Sequence, residues 1–519
     1  MLSAQDAAFI YLESDHSPMH IGGVYLVDAA TAPEGFNFQR FRAHIEQRLV
    51  LSPVFRRRLV EAPLSLSHPC WINDPDFDLS RHLPRLQLPQ PGGMRELMQL
   101  AAQVFGTTLD RGRPLWEFNF VENLHAVTGL AKGSFALISK VHHAAVDGGS
   151  GVELMGALLD ISPRPRAVDI VDCWEPEQVP GAPRLVAAAY SRMGRKSVAL
   201  ARLLGNVAAS TARAYISRKA HSTRSPPLLF SAPTSQFNQA VSSSRTYWGV
   251  DFDFDRIRRI RKCMPDATVN DVVLAICAAG LRAYLSERGA LPAQSLVAMA
   301  PISVRQDSQK GAMGNQVSAM LVSLATDVTD PLQRALLICR NTRGSKAYAD
   351  ALPANRIAEL IPSETLAAAA RLYTRTRLGG RHRPFFNVTI TNVPGPAAPM
   401  YIAGARLSQQ FGMAPIMDGL GLTIVVFSYA GRISLGLTSC YTVVPDPHHL
   451  GDLLSGALQE LEQRMGKATP RDWREAQRAI ETSGSVGAQP PEGGAGAVAR
   501  LREATRALDR AIARLEKKR

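Results

Sequence analysis

The 519-residue chain predicts an α/β (α+β) protein of two layered domains, joined by a basic helical linker and followed by a separate tail. Three observations lead there. With 46% hydrophobic and 20% charged residues, the chain has material for packed cores, which argues against wholesale disorder. Strand-like alternation and helix-like stripes interleave in both halves, the pattern of layered α/β domains. Two stretches break that pattern: residues 178–250 hold ten Lys or Arg and no Asp or Glu, and residues 483–496 are rich in Gly, Pro, Ser and Ala. The divisions follow: a first domain over 1–165, a basic linker over 166–236, a second domain over 237–468, and a flexible linker with a basic heptad-pattern helix over 469–519.

In the first domain the segment from Phe135 to His143 alternates as a strand, with Phe135, Leu137, Val141 and His143 on one face and Ala136, Ile138, Lys140 and His142 on the other. Gly148 and Gly149 end it, and Ser150-x-x-Glu153 has the form of a capping box opening a helix over 151–160. In the linker, Val186, Tyr190, Met193, Leu200, Leu204 and Val207 recur near every 3.5 residues, with Arg192, Arg195 and Arg202 opposite. This basic amphipathic helix fits either a packed inter-domain linker or a segment lying on anionic lipid headgroups. In the second domain Thr268-x-x-Asp271 is another capping box, and Val273, Ile276, Cys277, Gly280, Leu281, Tyr284 and Leu285 form the stripe of the helix behind it. Strand-like runs follow at 295–300, 316–324, 387–392, 422–429 and 433–441. In the tail Val498, Leu501, Thr505, Leu508, Ile512 and Leu515 repeat at 3-4 spacing, which suits a homo-oligomer contact or a membrane-lying helix.

The net charge of +14 is concentrated in two places, the 178–250 stretch and the tail, and the remaining chain is nearly neutral. An anionic membrane or lipid-droplet surface is the expected partner of that charge. No specific nucleic acid is expected, because aromatics do not interleave with the basic positions. The six cysteines show no C-x-x-C spacing and read as reduced core thiols. The first residues lack a secretory signal, and the uncharged run 384–405 contains Pro384, Pro394, Pro396 and Pro399, which excludes a regular spanning helix. A cytoplasmic, peripheral location is the expectation.

Chemistry concentrates at His142-His143-x-x-x-Asp147-Gly148. Adjacent strand histidines point apart and do not share one metal ion easily, and no third ligand cluster is near, so no metal and no tightly bound cofactor is expected. One imidazole at a strand end, near its ordinary pKa of about 6.5, suits removal of a proton from an alcohol. No G-x-S-x-G elbow is present, so a covalent nucleophile is not indicated.

At these residues the chain resembles the bacterial wax ester synthase/acyl-CoA:diacylglycerol acyltransferase family, within the superfamily of CoA-dependent acyltransferases that share HHxxxDG. Accompanying motifs sharpen the resemblance: Leu2-Ser3-x-x-Asp6-x-x-Phe9 with Pro18-Met19-His20-x-Gly22-Gly23, Arg113-Pro114-Leu115-Trp116-Glu117, Asn270-Asp271, Pro301-Ile302-Ser303-Val304-Arg305, Gly314-Asn315-Gln316, and Asn392-Val393-Pro394-Gly395-Pro396. They run in family order over residues 1–468, with Ala4-Gln5 where the family usually carries a Pro.

The resemblance implies two chloramphenicol-acetyltransferase-like domains, each a mixed sheet flanked by helices, with an active-site tunnel at their interface. It implies transfer of a fatty acyl group from acyl-CoA to a long-chain alcohol or diacylglycerol, without an acyl-enzyme. His143 would be the general base, His142 a supporting residue, and Asp147 would turn away to pair with an Arg, for which Arg305 is the candidate. Gly148 would allow the tight turn. Asn270 and Asp271 read first as a helix start, with a part in oxyanion stabilisation left open. Pro114, Leu115 and Trp116 read as core packing or as tunnel wall, and 392–396 as a tight turn. Another hydroxylated acceptor, or an inactive lipid-binding paralogue, are the alternative readings.

Overall fold

The computed structural model describes residues 1–63, 67–146, 150–181, 232–303, 317–349 and 363–484. The amphipathic stripe at 186–207, the heptad tail, Asp147, Gly148, Arg305 and Gly314-Asn315-Gln316 lie outside the described residues.

The strands are β1 (His20–Asp28), β2 (Arg57–Val60), β3 (Cys70–Asn73), β4 (Arg85–Gln87), β5 (Trp116–Glu122), β6 (Phe135–His142), β7 (Arg245–Asp253), β8 (Val297–Ser303), β9 (Val317–Ser323), β10 (Val388–Pro394), β11 (Tyr401–Ile402), β12 (Ala405–Met413), β13 (Thr423–Tyr429) and β14 (Arg432–Cys440). The helices are α1 (Ala4–Leu12), α2 (Phe38–Arg48), α3 (Met94–Gly106), α4 (Ser150–Leu158), α5 (Phe254–Cys263), α6 (Val269–Glu287), α7 (Pro331–Ala349), α8 (Ser363–Arg375), α9 (Pro447–Lys467) and α10 (Pro470–Gly484). They build two six-stranded mixed sheets, in the orders β11-β12-β1-β6-β5-β4 and β7-β14-β13-β10-β8-β9, with β2 and β3 as a separate hairpin.

The first sheet takes two strands from the far half of the chain. β12 pairs antiparallel with β1 from Gly22↔Met413 to Asp28↔Arg406, and β11 pairs with β12. β6 lies between β1 and β5 and is buried along its whole length. Phe135, Leu137 and Val141 enter a core with Phe41, Trp116 and Phe120, while Ala136 and Ile138 enter a second core with Leu97 and Phe105 of α3. The alternation read in the sequence therefore becomes two packed faces, each fully buried large apolar side chain contributing roughly 1.5–3 kcal/mol. Gly22 is required by close approach, since a Cβ there would stand 1.9 Å from Ser139 O.

In the second half α6 starts with a complete capping box: Thr268 Oγ1 accepts from Asp271 N at 3.2 Å, and Asp271 Oδ2 accepts from Thr268 N at 2.8 Å. Among the described helices α6 alone is long and apolar enough to cross a membrane, yet 72% of the qualifying window is buried inside the protein. Its apolar residues are core, packed with Leu450, Leu454 and Leu458 of α9 and with the second sheet. The two sheets touch where β12 crosses β14: a Cβ at Gly436 would lie 1.9 Å from Gly412 O, and Tyr247 donates to that same carbonyl at 3.0 Å.

Three expectations need correction. The helix after the histidine motif ends at Leu158 rather than 160, because Asp160 exchanges both backbone hydrogen bonds with Tyr401 at 2.8 Å and pairs with Arg48. Asn392 to Pro394 continue β10, in parallel register with Val426 to Ser428, instead of forming a turn. Cys277, Cys339 and Cys440 are buried free thiols, but Cys173 and Cys263 are exposed, since one lies in the 165–181 segment outside any helix or strand and the other ends α5.

Candidate active site

β6 delivers the histidine pair. His142 is its last residue and is fully buried, and His143 begins the turn that follows. The pair sits beside Leu115, whose carbonyl accepts the His142 N–H at 2.9 Å, and opposite Met19, whose carbonyl accepts the His143 N–H at 2.8 Å. The His143 ring is half-buried and lies flat on Phe9 of α1, centroids 3.9 Å apart and planes 12° apart. The two rings do part as strand geometry requires, His143 toward α1 and His142 toward His20.

His142 points at a buried carboxylate the sequence reading did not single out. Glu13, just past α1, is 5% exposed in its side chain. Its Oε2 accepts from Arg111 Nη2 at 2.8 Å and Nε at 3.0 Å, and its Oε1 accepts from Met19 N at 3.3 Å. His142 Nε2 faces Oε1 at 3.3 Å, off the line of a full hydrogen bond, and His20 Nε2 lies 3.5 Å from the same oxygen. Burial pushes the Glu13 carboxyl upward, but the His142 imidazole and Arg111 outweigh it and hold it well below the usual carboxylate range. His20 is pushed down to about 4 by burial, so it is uncharged at neutral pH, and its Nε2 accepts the Leu109 N–H at 3.3 Å. The intervening loop is pinned from the second half of the chain, with His16 Nε2 3.2 Å from Asp418 Oδ2 and His16 O accepting from Arg245 at 2.7 Å.

The other motif residues fall into two groups. On the first sheet Pro114 and Leu115 are buried, and Trp116 is fully buried, donating from Nε1 to Phe55 O at 2.9 Å with His82 stacked on it at 4.4 Å. Leu115 packs with Ala7, Ile10 and Ala144, on the side of the His143 turn. On the second sheet Asn270 at the start of α6 accepts from Asn392 Nδ2 at 3.3 Å, so two motifs far apart in sequence meet, while Asp271 is held in its capping box. A cavity of about 450 Å³ lined by Leu51, Gly156, Ala157, Arg166 and Ile170 opens at the far end of α4, away from these motifs. Among the described residues no group of His, Cys, Asp and Glu is arranged to hold a metal ion.

Glu13, Arg111 and Phe9 carried little signal for these contacts. Phe9 and His20 belong to the opening motif, but a Glu after a helix reads as a solvated charge until the fold closes over it.

The two-sheet fold is shared with acyl-transferring and condensing enzymes of known structure. The starter condensation domain of rhizomide synthetase shares it at TM-score 0.50 and 14% identity, covering 90% of this chain and 94% of that one. The narrower assignment comes from sequence. The profile of the wax ester synthase/diacylglycerol acyltransferase catalytic domain matches residues 2–273, and that of the C-terminal domain of the same family matches residues 313–462. Two Mycobacterium tuberculosis proteins provisionally named as diacylglycerol O-acyltransferases are 32% identical over 468 residues (89% of each chain) and 35% identical over 474 residues (90% of this chain and all of the other). The wax ester synthase/diacylglycerol acyltransferase of Marinobacter aquaeolei VT8 matches at TM-score 0.63 and 28% identity, over 90% of this chain and 99% of that one. The chain belongs to this family and is an acyltransferase.

Proposed function

We propose that the protein transfers a fatty acyl group from acyl-CoA to the hydroxyl of a long-chain alcohol or diacylglycerol, with His143 as the general base. One observation carries this reading: His143 is half-buried at the end of a buried strand, with its backbone N–H on Met19 O and its ring against the face of Phe9. A base so held is presented beyond the sheet with little freedom to lose. The imidazole takes the proton of the acceptor hydroxyl as its oxygen attacks the thioester carbon. The tetrahedral intermediate then expels the CoA sulfur, the C–S bond breaks, and the proton passes to the leaving thiolate, giving ester and free CoA.

In this reading Asp147 pairs with Arg305 and Gly148 turns the loop, which makes Asp147→Ala and Arg305→Ala equivalent in loss of folding. Pro114, Leu115 and Trp116 back the histidine turn, and Asn270 and Asp271 open α6, whose N-terminus can donate hydrogen bonds to a developing oxyanion. The basic 178–250 stretch attaches the enzyme to anionic lipid. The test supplies purified protein with palmitoyl-CoA and hexadecanol or a diacylglycerol and follows thiol release and ester. His143→Ala should lose about 10²–10⁴-fold in kcat. An undiminished variant, or thiol release that needs no acceptor, refutes the mechanism.

A further inference from the structure

We propose that Glu13 is the positioning residue of this site: it selects the Nε2–H tautomer of His142 and, through the 142–145 turn and Met19, aims the His143 ring. The proposal rests on the reading of His143 as the base. His142 Nδ1 accepts the Ala144 N–H at 3.0 Å, so that nitrogen carries no proton. The ring proton is then on Nε2, which faces Glu13 Oε1 at 3.3 Å. The opposite tautomer would set Nδ1–H against the Ala144 N–H and a lone pair against the carboxylate, two repulsions in a site sealed from water.

The route to His143 is double. His142 carries the turn, taking the Ala144 N–H on its ring and the Ala145 N–H on its carbonyl at 2.9 Å. Met19 gives its own N–H to Glu13 and takes the His143 N–H. Glu13 thus holds both residues from which His143 hangs. Arg111 supplies the charge that lets a carboxylate stay ionised there, and it is steadied in turn by Glu61 at 2.9 Å and Ile10 O at 2.8 Å.

The experiment is a double-mutant cycle on the full chain, reading kcat and KM for palmitoyl-CoA, with circular dichroism as the folding check. Glu13→Gln should lower kcat about 10- to 100-fold, the scale of a small misplacement, and leave KM within about 2-fold. Combined with His142→Asn it should fall no further than the worse single variant, because both act through one element. Losses that multiply overturn the proposal. So does an unchanged Glu13→Gln beside an inactive His143→Ala, whereas an active His143→Ala overturns the base reading itself. Should Glu13→Gln not fold, ¹⁵N histidine spectra of the wild-type protein decide: a proton on His142 Nε2 with Nδ1 bare is expected, and a proton on Nδ1 overturns it.

Discussion

Removing Asp160 leaves a guanidinium buried and unpaired. Arg48 and Asp160 are 0% and 2% exposed, and Arg48 Nη2 donates to both carboxylate oxygens at 2.8 and 2.7 Å. Arg48 Nη1 also donates to His44 Nδ1 at 3.0 Å, and His44 passes its own Nε2–H to Leu158 O at 2.8 Å, so α2 and the end of α4 share one polar chain. Asp160→Ala deletes the only carboxylate on Arg48 among the described contacts, and breaking a buried pair from one side costs about 3–5 kcal/mol. Asp160→Asn, which keeps one acceptor, should cost less. Replacing both partners by Arg48→Met with Asp160→Leu removes both desolvation penalties and should recover most of the loss. The assay is thermal unfolding by circular dichroism and tryptophan fluorescence, ranking the variants. A loss below about 1 kcal/mol for Asp160→Ala, or a double variant as unstable as the two singles summed, would refute the reasoning.

Burial pushes His20 and His44 down to about 4, so between pH 6.5 and 4 the unfolded chain binds protons that the folded chain refuses. Stability is therefore full above pH 6.5 and falls on acidification by up to about 1.4 kcal/mol per pH unit for each histidine. A melting temperature flat from pH 7 to 4.5 contradicts this. Gly436→Val drives a side chain into Gly412 O where the sheets cross and should destabilise by about 1–3 kcal/mol, read by denaturation. Thr268→Ala removes the hydroxyl half of the α6 capping box and should lower stability by about 1 kcal/mol; thermal shift checks it.

Local features were legible in the sequence. The period-2 pattern of β6 and the Thr268 capping box depend on neighbours within a few residues, and both stand in the structure. β12 escaped the same reading because Ser408, Gln409 and Gln410 interrupt its apolar run; their half-buried places suit a strand at the contact of two sheets, where Gln409 donates to Asp251 at 3.2 Å. Even a recognised strand does not announce its partner, so the pairing of β12 with β1 is a property of the whole chain. The motif marked His142 and His143 but not Glu13 or Arg111, because a charge becomes a buried hub only when segments some hundred residues apart close on it.

The pairing of β12 with β1 also sets a timetable for synthesis. β1, β5 and β6 are synthesised by residue 142, but the neighbour that covers the other edge of β1 is complete only at residue 413. At roughly 5–20 residues per second, the Val24–Leu26 edge waits about 15 to 50 s with its amides unpaired. Expressed alone, the first 236 residues would carry that edge permanently and should collect in inclusion bodies, whereas supplying 237–484 as a second chain should restore a soluble pair.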